Sequence, residues 1–213
     1  MVRSFIMNTS SLLKVIYNPL LTDDIFTLAD QKVAHTWLQE KDAYPLILSV
    51  GRLDKEKDFA ALIKAFAILS EHNPARLMIL GEGALRSKLE ELIANLNLQD
   101  KVSLPGYVDN PYVFMKNCSL FVLPSNYEGL PGVLIEALDL SPRIVATDCP
   151  GGTREILDNG KYGKLVKVGD VEGLASAMLD ALKSEPQQCD AEFLARFKPE
   201  TVVPQYLQVL LNG

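Results

Sequence analysis

The chain has 213 residues, of which 48% are hydrophobic and 23% are charged, so it fits one large or two small globular domains. The net charge of -6 argues against a nucleic-acid backbone as the ligand. No apolar run reaches membrane-spanning length, and residues 1–21 lack the pattern of a signal peptide, which predicts a cytosolic protein.

Cysteine and histidine place further bounds on the chemistry. Cys118, Cys149 and Cys189 are far apart and odd in number, which favours reduced thiols over disulfides or a zinc site. His35 and His72 are isolated by sequence, so no histidine-based catalytic system is indicated.

In chain order, residues 1–43 lack the regular alternation of strands and helices that follows. They are interpreted as a linker that leads into a domain. From residue 44 to residue 188 apolar strands alternate with helices. The predicted strands are 46–50, 76–80, 102–104, 120–123, 143–147 and 164–168. The predicted helices are 58–72, 85–96, 112–117, 131–140, a short one capped by Thr153, and one capped by Asp170 that runs to about residue 183.

This alternation predicts the fold class. Strands joined through helices pair in parallel by right-handed crossovers, hence an α/β doubly wound parallel sheet of the Rossmann-like type. The last segment, 189–213, is helical in pattern but is expected to be broken at Pro199 and Pro204.

The stretch 119–140 reads as a buried strand, a loop and a helix, with Glu128 in the loop and Glu136 in the helix. Loops that leave the carboxyl ends of parallel strands are where ligands dock. A carboxylate accepts hydrogen bonds from both hydroxyls of a diol, so each Glu is a candidate for one end of a nucleotide sugar, with the two about 7 to 10 Å apart. Gly132 is expected to leave the backbone open to close approach. The alternative is that Glu128 is an acidic residue on the loop surface and that Glu136 lies at the edge of its helix.

Other strand ends carry weaker signals. Arg52 and Lys57 follow the first strand, and their cations suit a diphosphate, although such charge runs are more often a solvated face. The glycines of 81–83 allow close backbone approach, 106–108 offers a ring and backbone groups to a base, and 149–156 is a glycine-rich turn into a helix. Each is also consistent with an ordinary turn.

Together these segments resemble the carboxyl-terminal half of family 4 retaining GT-B glycosyltransferases. The resemblance covers roughly residues 13 to 185, in order and at similar spacing. It is carried by Val50-Gly51-Arg52-Leu53 with Lys57, Leu80-Gly81-Glu82-Gly83, Gly106-Tyr107-Val108, the 125–131 loop with Glu136, Gly151 to Ile156, and Gly163 to Asp170.

The resemblance implies a role for each candidate residue. It implies Arg52 and Lys57 on the diphosphate and Glu128 on the donor sugar, as the catalytic set. It also implies a substrate-binding set with Glu136 on the ribose, the amides of Gly129 and Leu130 near the distal phosphate, Tyr107 and Val108 near the base, and Gly51 and Gly81 close to the ligand. It implies no metal ion and no cofactor.

What the resemblance implies for function is transfer of a hexose or N-acetylhexosamine from a nucleoside-diphosphate sugar to a glycan or lipid-linked acceptor. UDP is the expected carrier, with GDP and ADP as alternatives. Two departures qualify this. Asp58 stands where a glycine often follows the lysine, and no sequence for the amino-terminal GT-B domain is present. The chain is therefore expected to be either a donor half cut from a longer enzyme or a naturally shortened homologue. We expect it to be inactive alone and cytoplasmic, with the full-length protein peripheral at the inner membrane.

Two other functions remain open at this point. One is a non-catalytic ligand-binding or partner-binding module that keeps the same fold. The other is a dinucleotide-dependent oxidoreductase, for which the glycines of 81–83 are the single hint, without the full phosphate fingerprint.

Overall fold

The computed structural model describes residues 15–33, 35–40 and 44–212. Six parallel strands form one sheet: β1 Leu46–Val50, β2 Arg76–Leu80, β3 Val102–Gly106, β4 Leu120–Leu123, β5 Ile144–Thr147 and β6 Lys164–Val166. Their order across the sheet is β3-β2-β1-β4-β5-β6. The predicted α/β doubly wound fold is confirmed, and the predicted strand boundaries are correct to within two residues.

The helices of the described residues are α1 Asp23–Ala29, α2 Thr36–Gln39, α3 Phe59–Ser70, α4 Arg86–Asn95, α5 Tyr112–Asn117, α6 Gly132–Leu140, α7 Thr153–Ile156, α8 Val171–Lys183, α9 Ala191–Leu194 and α10 Pro199–Asn212. Short 3-10 turns lie at Asp158–Gly160 and Ala195–Phe197. None of these helices is long and apolar enough to cross a membrane.

Two hydrophobic cores lie on opposite faces of the sheet because side chains alternate along each strand. One core contains the buried residues of α3, α4 and α8, and the other contains those of α5, α6 and the carboxyl-terminal segment. The strands contribute to both faces, with Ile47, Leu77 and Val122 on the first and Leu48, Met78 and Phe121 on the second. The strands are mostly apolar because both faces of the sheet are covered.

The stretch before β1 packs on the domain in its described part. Leu21 and Ile25 are buried in the same core as α6, and the Asn110 Nδ2 donates to the Leu28 carbonyl at 2.8 Å. Asp30 forms an ion pair with Lys116 of α5. The segment interpreted as a linker therefore contributes a helix, α1, to one face of the sheet.

Two predicted helix boundaries are corrected and one is confirmed. Thr153 is the first residue of α7 and fully buried, and Gly152 stands at the cap position instead. Pro204 lies inside α10, so the helix continues through it, while Pro199 begins that helix, where a missing N–H costs little. Asp170 does cap α8, because its Oδ1 accepts from the Gly173 amide at 2.8 Å.

Candidate active site at the carboxyl edge of the sheet

The strand order fixes where a ligand can enter. β1 leads to β2 on one side of the sheet, while its other neighbour, β4, leads to β5 on the opposite side. The loops that follow β1 and β4 therefore separate at this switch point and leave a crevice between them. These loops hold Arg52 and Lys57 on one side and Glu128, Gly129 and Leu130 on the other.

Direct contacts connect the two loops across the crevice. The Lys57 Nζ and the Glu128 Oε1 are 2.5 Å apart, with side chains that are 16% and 10% exposed. Asn126 adds two bonds, from its backbone amide to the Glu56 carbonyl at 2.7 Å and from its Nδ2 to the Lys55 carbonyl at 3.1 Å. A lysine and a glutamate that are 71 positions apart in sequence are thus brought together as a shielded ion pair.

The environment of Glu128 holds its carboxylate in place. Ser125, fully buried, donates its hydroxyl to the same Oε1 at 2.6 Å. The Ser125 carbonyl in turn accepts from the Thr147 hydroxyl of β5, and the Glu128 amide donates to the Pro150 carbonyl at 3.1 Å. Both side-chain contacts fall on Oε1, so among the described residues Oε2 is the oxygen available to a ligand.

A cleft of about 520 Å³ runs along the neighbouring part of the edge, beside the ends of β1, β2 and β3. Its lining includes most of the predicted substrate-binding residues and Arg52 from the catalytic set. The predicted residues in the cleft are Gly51, Arg52, Gly81, Tyr107, Val108 and Glu136. The cleft brings these six predicted residues together, whereas Lys57, Glu128, Gly129 and Leu130 are not among the residues that line it. Their roles in ligand binding stay predictions.

Glu136 of α6 meets Tyr112 of α5 at the wall of the cleft. The Tyr112 hydroxyl donates to the Glu136 Oε1 at 3.3 Å. Burial raises the pKa of Glu136 above its ordinary value, and the Tyr112 hydrogen bond opposes that rise. Burial and the neighbouring Glu136 raise the pKa of Tyr112 to about 12, so the phenol remains a donor at neutral pH. Within the described part of the chain, Glu136 is a largely buried carboxyl group that accepts one side-chain hydrogen bond, from the neutral Tyr112 hydroxyl.

Arg52 is the exposed counterpart of Lys57. Its side chain is 79% exposed and lies 3.4 Å from Asp54 and 3.7 Å from Glu56. These are loose contacts for exposed groups, and such pairs contribute little to stability. Arg52 already lines the cleft, and its side chain can leave Asp54 and Glu56 for a ligand at small cost.

Two glycines at this edge of the sheet allow backbone segments to pack closely against each other. A Cβ on Gly81, whose φ is +143°, would stand 1.9 Å from the Gly51 carbonyl oxygen. A Cβ on Gly151, at φ +119°, would stand 1.7 Å from the Glu128 carbonyl oxygen. Both positions require glycine because strand-end loops press against each other there.

The glycine-rich turn after β5 supports the β4 loop from behind. The Gly152 amide donates to the Gly129 carbonyl at 2.8 Å, and a Cβ on Gly152 would touch the Leu130 side chain at 3.2 Å. Among the described residues, nothing but its chain neighbours lies within 4 Å of a Cβ placed on Gly129. The peptide between Gly129 and Leu130 is thus held by this support, and the phosphate role of the Gly129 and Leu130 amides stays a prediction.

One expectation about close approach is wrong. Gly132 was expected to leave the backbone of α6 open to a ligand, but the Leu20 Cδ1 lies 3.1 Å from where its Cβ would be. The glycine accommodates the stretch before β1, which packs across the start of α6. Gly132 therefore has a packing role.

Sequence reasoning missed three residues that shape this site: Tyr112, Ser125 and Asn126. Tyr112 is 24 positions from Glu136, and no local pattern connects them. Ser125 and Asn126 lie in the loop after β4, three and two residues before Glu128. Their hydroxyl and amide groups were the sequence features that could have indicated hydrogen bonds within the site. No group of three or more His, Cys, Asp or Glu side chains in the described ranges is arranged to hold a metal ion.

A parallel sheet with charged side chains gathered at its switch point defines a Rossmann-like ligand-binding domain. The chain belongs to the family described as glycosyl transferases group 1, whose sequence model matches residues 30–199.

Characterised relatives are similar over most of this chain. An N-acetylgalactosamine-N,N'-diacetylbacillosaminyl-diphospho-undecaprenol 4-alpha-N-acetylgalactosaminyltransferase of Campylobacter jejuni is 38% identical over 172 residues, which is 81% of this chain and 45% of the relative. The lipopolysaccharide core biosynthesis glycosyltransferase LpsE of Rhizobium meliloti is 30% identical over 174 residues, which is 79% of this chain and 50% of that protein. The chain thus spans about half the length of these relatives.

Solved structures show the same fold at lower identity. Alr3699/HepE of Anabaena, crystallised with UDP, superposes with a TM-score of 0.75 at 23% identity, over 95% of this chain and 58% of that one. The sucrose-phosphate synthase of Thermosynechococcus elongatus gives a TM-score of 0.71 at 24% identity, over 92% of this chain and 49% of that one. The fold is that of the carboxyl-terminal half of a GT-B glycosyltransferase.

Proposed function

We propose that the chain is the donor-binding half of a retaining, family 4 GT-B glycosyltransferase that uses a UDP-sugar. The observation that carries the proposal is that the Lys57–Glu128 ion pair lies next to the cleft lined by Arg52 and Glu136. The two meet at Gly51, which lines the cleft and lies under the Lys57 side chain. Cations suit a diphosphate and carboxylates suit hydroxyl pairs, and both kinds of group meet at one sheet edge. The UDP bound in the Anabaena structure supports the choice of carrier.

In this proposal each group binds one part of the donor. Glu136 accepts from the ribose hydroxyls, and Glu128 accepts from the sugar through its available oxygen. Arg52 and Lys57 neutralise the diphosphate, whose charge grows as the bond to the sugar breaks. Tyr107 and Val108 contact the base, and the Gly129 and Leu130 amides contact the distal phosphate.

The transferred sugar is proposed to be a hexose or N-acetylhexosamine, and the acceptor a glycan or a lipid-linked saccharide at a membrane surface. This follows the transfer named for the Campylobacter relative and the lipopolysaccharide core biosynthesis named for the Rhizobium relative. No metal ion is required in this proposal, because Arg52 and Lys57 supply the positive charge. Addition of EDTA should therefore leave UDP affinity unchanged.

Calorimetric titration of the chain with UDP, GDP, ADP, NAD and a UDP-N-acetylhexosamine tests the proposal. We expect UDP and the UDP-sugar to bind, and Arg52→Gln to weaken both. Binding of NAD with no binding of any nucleoside diphosphate would contradict a glycosyltransferase site. Lys88→Gln is a matched control, because Lys88 lies in α4 outside the residues that line the cleft.

We further propose that the chain alone transfers no sugar. A well-oriented acceptor supplies roughly 7 to 11 kcal/mol of the barrier, and the chain covers about half of the relatives that perform transfer. The test is incubation with labelled UDP-hexoses and lipid or glycan acceptors, with and without a separately produced amino-terminal domain. Efficient transfer by the 213-residue chain alone would contradict this expectation.

A further inference from the structure

The ion pair at the switch point joins two groups that the proposed function assigns to different parts of the donor. Lys57 is assigned to the diphosphate and Glu128 to the sugar, yet the Lys57 Nζ and the Glu128 Oε1 form an ion pair at 2.5 Å. A diphosphate that takes the Lys57 ammonium group therefore competes with the Glu128 carboxylate for it. Removing one partner of a shielded ion pair is costly, because the other charge stays desolvated.

Packing decides which partner can move. Glu128 is fixed by the Ser125 hydroxyl and by its own amide, which donates to the Pro150 carbonyl. The Lys57 stem lies over Gly51, with its Cδ and Cε 3.3 Å from where a Gly51 Cβ would stand. Because Gly51 also lines the cleft, a short swing of the flexible lysine stem brings its ammonium group toward the cleft.

The two ligands leave Glu128 in different states. A bare nucleoside diphosphate that draws Lys57 away leaves the carboxylate with the Ser125 hydroxyl as its remaining side-chain partner among the described residues, close to the phosphate charge. A donor that carries a sugar supplies hydroxyl groups to the same carboxylate, so the lost cation is replaced by new donors.

We propose that the Lys57–Glu128 pair makes the site discriminate against the nucleoside diphosphate product in favour of the sugar-bearing donor, an inference that rests on the proposed function. When the sugar leaves with the acceptor, Glu128 loses its hydroxyl partners and recovers Lys57 from the diphosphate. The pair thereby promotes product release and limits product inhibition.

The test is calorimetric titration with UDP and a UDP-N-acetylhexosamine, applied to the wild-type chain and to Glu128→Gln, Lys57→Gln and the double variant. Gln keeps the size of Glu128 and can still accept from Ser125, but it no longer competes for Lys57. We expect Glu128→Gln to bind UDP about tenfold more tightly and the UDP-sugar no more tightly than wild type. In the Lys57→Gln background the same change should give no gain, because there is no ammonium group to release.

Two further variants separate this competition from general effects. Asp148→Asn removes one negative charge from the same sheet edge, where Asp148 pairs with Arg154, and should change the UDP affinity by less than about twofold. Ser125→Ala keeps all charges but removes the remaining donor to Glu128, so the ratio of UDP to UDP-sugar dissociation constants should rise several-fold. A purely structural role for Ser125 would weaken both ligands equally.

The outcomes distinguish this inference from the proposed function. If UDP binds the wild type but no more tightly to folded Glu128→Gln, or if Asp148→Asn gives an equal gain, the discrimination is overturned and the donor site stands. If Glu128→Gln does not fold, an unchanged ratio in Ser125→Ala overturns the inference. If the wild type binds neither ligand, the proposed function fails and this inference fails with it.

Discussion

Replacing Glu136 by Gln changes one charge at the cleft wall and keeps the side-chain volume. The Tyr112 hydroxyl can donate to the amide oxygen as it does to the Glu136 Oε1, so the local bond at 3.3 Å survives. What is lost is a charged acceptor for the ribose diol, and such bonds contribute about 1.5 to 3 kcal/mol. We therefore expect the UDP affinity to fall by roughly ten- to a hundred-fold.

The same substitution should leave the unliganded protein as stable or more stable. Burial raises the pKa of Glu136, so the folded state binds the Glu136 proton more readily than the unfolded state. The group therefore lowers stability at neutral pH, and this cost disappears as the pH falls through the raised pKa toward the ordinary value. Gln carries no charge to desolvate, so thermal unfolding should not shift to lower temperature. Affinity and stability thus change in opposite directions.

Asp139→Asn is a matched control for this experiment. Asp139 lies on the same helix, its pKa is also raised by burial, and its Oδ2 is buried with no hydrogen-bond partner among the described residues. It does not line the cleft, so we expect a gain in stability and no change in UDP affinity. Calorimetric titration and thermal unfolding measure the two quantities. Unchanged UDP affinity in folded Glu136→Gln, or an equal loss in Asp139→Asn, would refute the assignment of the ribose to Glu136.

Three further predictions follow from contacts at the same edge. Tyr112→Phe removes the hydrogen bond that opposes the raised pKa of Glu136, so that pKa should rise further. As the pH is lowered, the variant should therefore lose UDP affinity at a higher pH than the wild type. Identical pH profiles in calorimetric titrations would contradict this. Asp58→Ala should lower the free energy of unfolding by about 1 to 3 kcal/mol in urea titrations, whereas Asp58→Gly should cost much less, because glycine tolerates φ +44°. Gly81→Ala should cost about 4 kcal/mol or more, because its Cβ would collide with the Gly51 carbonyl; a change under 1 kcal/mol would show that the strand ends can separate.

The sheet was predictable because its strands are short apolar runs bounded by turn residues. For β1, β2 and β4 the predicted limits match the structure, since all three are central and buried on both faces. The edge strand β6 ends at Val166, two residues earlier than predicted, because Val166 pairs with Thr147, the last residue of its partner β5. Local pattern thus identifies central strands better than edges.

The carboxyl-terminal segment shows where a local rule is outweighed. Proline disfavours a helix interior, yet α10 continues through Pro204. Pro204 is the sixth residue of the helix, so the single bond that it cannot donate would have been to the Glu200 carbonyl in the exposed first turn. Water can satisfy that carbonyl, and the cost of the proline is correspondingly small.

The candidate site was predictable only in part, because it combines strand ends that are distant in sequence. The types of residue at these ends indicated cations and carboxylates, and the order of a parallel sheet predicted that they meet. The pairing of Lys57 with Glu128, and of Tyr112 with Glu136, depends on side-chain directions that no spacing reveals. The role of Gly132 was mistaken for the same reason, since Leu20 approaches it from another part of the chain.

Asp58, the departure from the family pattern, explains how the ion pair keeps its geometry. The residue adopts a left-handed conformation, with φ +44° and ψ +46°, where a glycine would meet no steric penalty. Aspartate is among the few other residues that tolerate this conformation, and its Oδ1 also accepts from the Ala61 amide at 3.2 Å, which caps α3. The turn that α3 needs directly after Lys57 is therefore preserved. Because the ammonium group of Lys57 reaches Glu128 from this turn, an aspartate at position 58 keeps the geometry that the ion pair needs.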